Sequence, residues 1–274
     1  MRYVLANWKM YPTVSQAVAL FTTIQRGLQG SARGSRALPT VIVCPPFPLL
    51  PTLADITDRR LLRLGAQNCH WHAEGPYTGE VSPTMLAAWV DYALIGHSER
   101  RSAGETDEQI AMKVGAAAAA GLTPVLFVGE DEQTDAAIHH AEQRLIRGLA
   151  EVDLRRYHVL IVYEPTWAVG ADAPADVGHV REVVAHLKMR ITELGAEQGE
   201  IIYGGTVTAD NVEQFIGIET LDGVGATRAS LDGRDFLRII DQVASQDGGQ
   251  GPAAGKDPSL PDGPSATRRA AHGR

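Results

Sequence analysis

The chain is 274 residues long, 44% hydrophobic and 21% charged, an ordinary globular composition. Its 33 acidic residues outnumber 25 basic ones for a formal charge of −8, which excludes non-specific binding to nucleic acid or an anionic membrane, because both need a basic face. No apolar run reaches the roughly 18 residues of a spanning helix, the opening Tyr3-Val4-Leu5-Ala6 is too short for a secretory signal core, and the two cysteines, Cys44 and Cys69, form neither a disulfide framework nor a CxxC pair.

The expectation is a soluble protein of a reducing, cytoplasmic compartment. In chain order, a strand is predicted over 3–7, then a helix over 14–29 with Thr13 or Ser15 as its cap. Strands over 40–44 and 62–67 bracket a helix over 47–57, and a helix over 82–90 precedes a strand over 92–96. A helix over 105–120, capped by Thr106 or Asp107, leads to a strand over 124–128 and a helix over 132–150. The strand over 158–163 contains Val159-Leu160-Ile161-Val162, a continuous apolar run that suits a parallel strand covered on both faces. A helix over 175–194, a strand over 201–203, a helix over 209–216 with Asp210 near its start, a strand over 221–225 and a helix over 233–243 complete the series. Eight β-then-α units in residues 1–244 are the count of a single-domain (β/α)8 barrel. A doubly wound sheet fits the same alternation but usually has fewer strands. Residues 245–274 hold ten Gly or Pro and one large apolar residue, Leu260. Such a tail is expected to be disordered, since it cannot bury enough apolar surface to offset its ordering entropy.

In a barrel, chemistry sits where strands end and βα loops begin. The polar residues at those junctions are Asn7 and Lys9; Gln67 and Asn68; His97, Ser98 and Glu99; Glu164; Gly204, Gly205 and Thr206; and Ala226, Thr227 and Arg228. Together they supply a cation, an imidazole, a carboxylate and two loops of small residues opening onto helices. Helix N-termini with glycine-rich entries bind phosphate through unpaired N–H groups and the helix dipole. The chemistry suggested is proton transfer on a small phosphorylated substrate.

Six segments carry a resemblance: Asn7-Trp8-Lys9-Met10, Gly65-Ala66-Gln67-Asn68, Tyr77-Thr78-Gly79-Glu80, Gly96-His97-Ser98-Glu99-Arg100-Arg101, Tyr163-Glu164-Pro165-Thr166-Trp167-Ala168-Val169-Gly170 and Tyr203-Gly204-Gly205-Thr206-Val207. In type and order they resemble the triosephosphate isomerase family, over nearly all of residues 1–243. The resemblance implies a TIM barrel and an aldose–ketose isomerase of small phosphorylated sugars that uses no metal and no organic cofactor. It implies Glu164 as the base, His97 as the electrophile, Lys9 as a cation held by an acid such as Glu99, and Asn7 as a neutral donor. It implies phosphate binding by Gly170, by Gly204, Gly205 and Thr206, and by the loop holding Thr227 and Arg228. Residues 165–170 look like the family's hinged lid. Thr78 resembles the residue that reaches towards a partner's site, so a homodimer is implied.

Departures from the pattern keep alternatives open. Thr227-Arg228 stands where ordinary members carry Gly-Gly, Cys69-His70-Trp71-His72 is unusual in the third loop, and Phe127 replaces a usual Cys. His-Trp and Arg at these places look like a branch acting on four-carbon ketose phosphates such as L-erythrulose 1-phosphate. A zinc site at Cys69, His70 and His72 lacks a distant ligand to complete it. A nicotinamide-dependent oxidoreductase would rest on Gly223-x-Gly225-x-x-Arg228, which lacks the third glycine of a dinucleotide fingerprint. A non-catalytic barrel would require the base or the electrophile to be missing.

Overall fold

The computed structural model describes residues 1–32, 37–196 and 199–246. The tail expected over 245–274 therefore lies, beyond residue 246, outside the described residues. Eight parallel strands close into one barrel in sequence order: β1 (Tyr3–Asn7), β2 (Thr40–Cys44), β3 (Arg63–Ala66), β4 (Tyr92–Ile95), β5 (Thr123–Val128), β6 (Leu160–Tyr163), β7 (Glu200–Tyr203) and β8 (Gly223–Ala226). Closure comes from β8 pairing with β1, Tyr3 opposite Gly223 and Ala6 opposite Ala226. The fold is thus a TIM barrel.

Strand period two divides the core. Leu5, Ile42, Leu94, Val125, Phe127, Leu160, Val162 and Ile202 form one cluster within the barrel. The alternate positions, among them Val4, Val43, Ile161, Tyr163 and Tyr203, pack outward against the helices. The long helices supply matching stripes. In α1 (Val14–Ala32) the buried positions are Ala17, Phe21, Ile24 and Leu28, and in α7 (Val177–Glu193) they are Val180, Val183, Val184, Leu187 and Ile191. Spacings of three and four keep each set on one helical face. Each large side chain so buried contributes roughly 1.5–3 kcal/mol.

The remaining helices are α2 (Leu50–Ile56), α3 (Pro83–Leu86), α4 (Ser98–Ser102), α5 (Asp107–Ala119), α6 (Ala137–Gly148), α8 (Glu213–Ile216) and α9 (Gly233–Gln246). Thr106 caps α5: its hydroxyl accepts from Gln109 N–H while the Gln109 side chain accepts from Thr106 N–H. Asp210 does not start a helix. Asn211 accepts from Thr208 N–H and holds residues 208–211 in a turn, so α8 begins only at Glu213. Asp210 instead pairs on the surface with Arg238 at 3.0 Å.

At the strand starts, opposite the βα loops, Glu200 gathers Arg2 at 2.5 Å, the Tyr3 hydroxyl at 2.6 Å and His158 at 2.7 Å. Among the described residues no helix is long and apolar enough to cross a membrane.

Candidate active site

The strand alternation that buries Leu5, Val162, Ile202 and Gly225 in the barrel carries on to aim Asn7, Glu164, Gly204 and Thr227 at its mouth. A small cleft opens there, lined by Asn7, His97, Phe127, Glu164, Gly204 and Thr227. His97 joins it because Gly96, at φ 75°, breaks the alternation after β4. Sequence positions up to 220 apart thus meet in one small volume.

Glu164 and His97 are both buried, and Glu164 Oε1 stands 3.2 Å from His97 Nε2. The other carboxylate oxygen accepts from Ser98 N–H at 3.0 Å, at the start of α4. His97 itself caps that helix, its Nδ1 accepting from Glu99 N–H at 3.1 Å. An Nδ1 that accepts leaves the proton on Nε2, the nitrogen facing Glu164 and the cavity. The ring also packs on Phe127, with centroids 4.9 Å apart.

Lys9 is linked to this pair through Glu99, whose Oε2 lies 3.8 Å from His97 Nδ1. Its ammonium meets Glu99 Oε1 at 2.7 Å, and its backbone sits at φ 48°, in the left-handed region. Two side chains hold that conformation. Asn7 Oδ1 accepts from Lys9 N–H at 3.0 Å, which leaves the Asn7 amide hydrogens free for another partner. Gln67 Nε2 donates to the carbonyls of Lys9 and Cys44 at 2.8 and 2.9 Å. Gln67 was legible at the end of β3, but its use as a brace for Lys9 was not.

The loop after β6, where the resemblance places a lid over 165–170, runs on to Ala175 and contains a short 3-10 turn, Thr166–Ala168. Gly170 is exposed at φ 71°. The Thr206 hydroxyl donates to Ala168 C=O at 3.0 Å, which ties the loop after β7 to the lid. Ala175 N–H donates to the Tyr203 hydroxyl at 2.9 Å, and burial pushes that phenol up to about 12. Beneath the lid, Glu130 is fully buried and accepts from the Trp167 indole at 3.0 Å. Glu130 is a residue the sequence reading gave no role.

Thr227 lines the cavity, whereas Arg228 is exposed and makes no side-chain hydrogen bond or ion pair among the described residues. Thr78 lies in an exposed stretch, residues 72–80, away from the cavity lining. Cys69, His70 and His72 do not converge as ligands. His70 Nδ1 accepts from the His72 N–H, the rings of His70 and Trp71 stack at 4.1 Å and those of His72 and Tyr77 at 4.8 Å, and burial pushes the Cys69 thiol up to about 12. Gly223 and Gly225 lie inside β8, not in a strand-to-helix turn, so they do not form a dinucleotide loop.

Comparisons with known proteins bear on the same residues. The family model described as triosephosphate isomerase matches residues 2–243. The chain is 37% identical over 242 residues to the triosephosphate isomerase of Synechococcus sp. (strain JA-3-3Ab), covering 86% of this chain and 93% of the relative. To that of Herpetosiphon aurantiacus it is 39% identical over 249 residues, covering 85% and 96%. The crystal structure of triosephosphate isomerase from Bartonella henselae is similar, with a TM-score of 0.77 at 30% identity, covering 88% of this chain and 98% of that one. Matches that span the barrel from its first strand to its last helix, at this identity, establish that the chain belongs to the triosephosphate isomerase family and is an isomerase.

Proposed function

We propose that this isomerase carries out the family's reaction on glyceraldehyde 3-phosphate and dihydroxyacetone phosphate by proton transfer through an enediolate, as a cytoplasmic enzyme of glycolysis and gluconeogenesis. The observation that carries the mechanism is the 3.2 Å approach of Glu164 to His97 on one cavity wall. Glu164 leaves its resting contact with Ser98 N–H, takes a proton from the carbon next to the carbonyl and returns it to the former carbonyl carbon. His97, with the proton on Nε2, donates to the carbonyl oxygen and moves protons between the two oxygens. Lys9 and the free amide hydrogens of Asn7 face the negative charge that develops there. At about 4 Å and an effective dielectric near 20, one such cation is worth about 4 kcal/mol before desolvation.

Backbone N–H groups of Gly170, Gly205, Thr206 and Thr227 hold the phosphate. Gly204, whose own N–H donates to Tyr163 C=O at 2.8 Å, lets it approach without a Cβ in the way, and Arg228 adds a guanidinium that can grip it at two oxygens. Lid closure, for which this family is itself a standard example, then excludes water from the carboxylate. A homodimer accompanies this reading. Thr78 lies in an exposed loop, and Met10, Tyr11 and Met85 are large apolar side chains, 92%, 66% and 57% exposed, of the kind a second copy covers.

A second reading, isomerisation of a four-carbon ketose phosphate such as L-erythrulose 1-phosphate, is favoured by one observation: Arg228 is unpaired beside the cavity-lining Thr227. Measuring kcat/KM on glyceraldehyde 3-phosphate and L-erythrulose 1-phosphate with one purified sample separates the two. Preference for the triose is expected, and preference for the tetrulose overturns the triose assignment.

A further inference from the structure

Glu130 carries a carboxyl group with no solvent exposure, placed just after β5. Among the described residues every hydrogen bond to its side chain goes to one oxygen. Oε1 takes the Tyr163 hydroxyl at 2.9 Å, the Trp167 indole at 3.0 Å and His179 Nε2 at 2.9 Å, while Oε2 is buried with no partner among the described residues. A buried carboxylate so placed is stable only if its donors stay in position. Two of these donors flank the lid and the third sits in it. Tyr163 ends β6 immediately before the lid, Trp167 belongs to the lid, and His179 lies in the first turn of α7, where the lid ends. The Asp176 side chain fixes that turn by accepting from His179 N–H at 3.1 Å. His179 Nε2 also lies 3.0 Å from the Tyr163 hydroxyl, so the imidazole closes a triangle with the phenol and the carboxylate. Burial and the Glu130 charge push the Tyr163 phenol up, which keeps it a donor.

Of the two donors that flank the lid, Tyr163 is part of the barrel wall in β6, whereas His179 is carried by α7 and can be replaced without altering a strand. We propose that His179 is a positioning residue for the lid: its Nε2–H holds Glu130 in the orientation that receives the Trp167 indole, so that one carboxylate clamps both hinges. The proposal rests on the isomerase mechanism above, in which the lid must close over Glu164. Without the imidazole donor, Glu130 is free to turn its unpaired oxygen, and Trp167 loses a fixed acceptor. The lid then samples more arrangements, fewer of which complete the site.

The test uses the full-length enzyme and five variants. His179→Leu keeps the volume but removes the donor, and kcat is expected to fall about tenfold with a smaller change in KM. His179→Gln restores an N–H at nearly the same reach and is expected to recover most of the loss. Trp167→Phe removes the indole donor and should reproduce the kcat effect. It also identifies which part of the tryptophan emission, and of its change on adding inorganic phosphate, comes from Trp167. The double variant His179→Leu/Trp167→Phe should be no slower than the slower single, because both act through Glu130. Unchanged kcat and Trp167 emission in His179→Leu would overturn the proposal, as would additive losses in the double variant. Should His179→Leu fail to fold, a His179→Gln variant with a loss as large as that of Trp167→Phe would overturn it as well. Glu164→Asp, assayed alongside, separates the two levels: normal turnover there removes the catalytic mechanism itself, whatever His179 does.

Discussion

The backbone of Gly129 lies against that of Glu164, so closely that a Cβ on Gly129 would fall 2.1 Å from the Glu164 carbonyl oxygen and 3.1 Å from Pro165 N. The Glu164 carboxylate is therefore positioned from behind by the absence of a side chain on the neighbouring strand end. Adding one methyl group forces β6 away from β5 just where the proposed base is mounted. For Gly129→Ala the expected outcome is a loss of about 2 kcal/mol in stability and a fall of tenfold or more in kcat, read from denaturant unfolding and steady-state kinetics. Full activity would show that β6 can shift without moving the carboxylate.

Glu164→Asp shortens the base by one methylene and withdraws its oxygens by about 1.5 Å. Displacement of about 1 Å already costs roughly a hundredfold in rate, so kcat is expected to fall by two to three orders of magnitude with KM little changed. Near-normal turnover in this variant would sink the assignment of Glu164 as base.

Arg228 is expected to act on the phosphate group and not on the proton transfer. Replacing it with glycine gives the loop the residue ordinary members of the family carry. Its removal should shift the ratio of kcat/KM values towards the triose over the tetrulose substrate by roughly tenfold, the scale of one charge-assisted contact. An unchanged ratio would mean that the guanidinium stays in solvent during the reaction.

Stability should depend on pH through Glu200. Burial alone would raise its carboxyl, but contacts from His158, Tyr3 and Arg2 outweigh burial and hold it at about 2, against 4.5 for an unperturbed glutamate. A carboxyl whose folded value lies below its unfolded value stabilises the fold at every pH above about 4.5, and that contribution is lost as pH falls towards 2. The difference corresponds to about 3 kcal/mol. In a urea series, the gap between the parent chain and Glu200→Gln should be full above pH 4.5 and shrink as pH drops. A gap that does not vary with pH would assign the effect to packing.

Much of this was open to reading in the sequence because a barrel repeats one unit. Apolar runs marked the strands, and the polar residue after each run marked the mouth. Asn7, Glu164, Gly204 and Thr227 could be placed together because each follows the end of a strand. What escaped is what depends on contacts across the chain. The five-residue α4 is too short to show periodicity, and its cap is the His97 imidazole, not a usual Ser, Thr, Asp or Asn. The predicted helices over 82–90 and 209–216 shrink to the four residues of α3 and of α8. Nothing local to Gln67 announces that it braces Lys9 from 58 positions away. Nothing local to Glu200 announces a partner at Arg2, 198 positions earlier. Such roles are set by which strand ends closure brings together, and no pattern within one element records them.

Lys9 has a further meaning. Among the described residues it is the one non-glycine at positive φ, a conformation that suits glycine or asparagine and strains a side chain with a full Cβ. A sequence chosen for this backbone alone would not place lysine there. Under the proposed mechanism, folding and chemistry make opposite demands at this position, and the residue found is the one the proposed chemistry uses. Substitutions that ease the backbone here would leave the barrel intact and remove the cation from its mouth. A search for more stable variants would thus be drawn to this site, and on the proposed mechanism a gain found there would come with a loss of turnover.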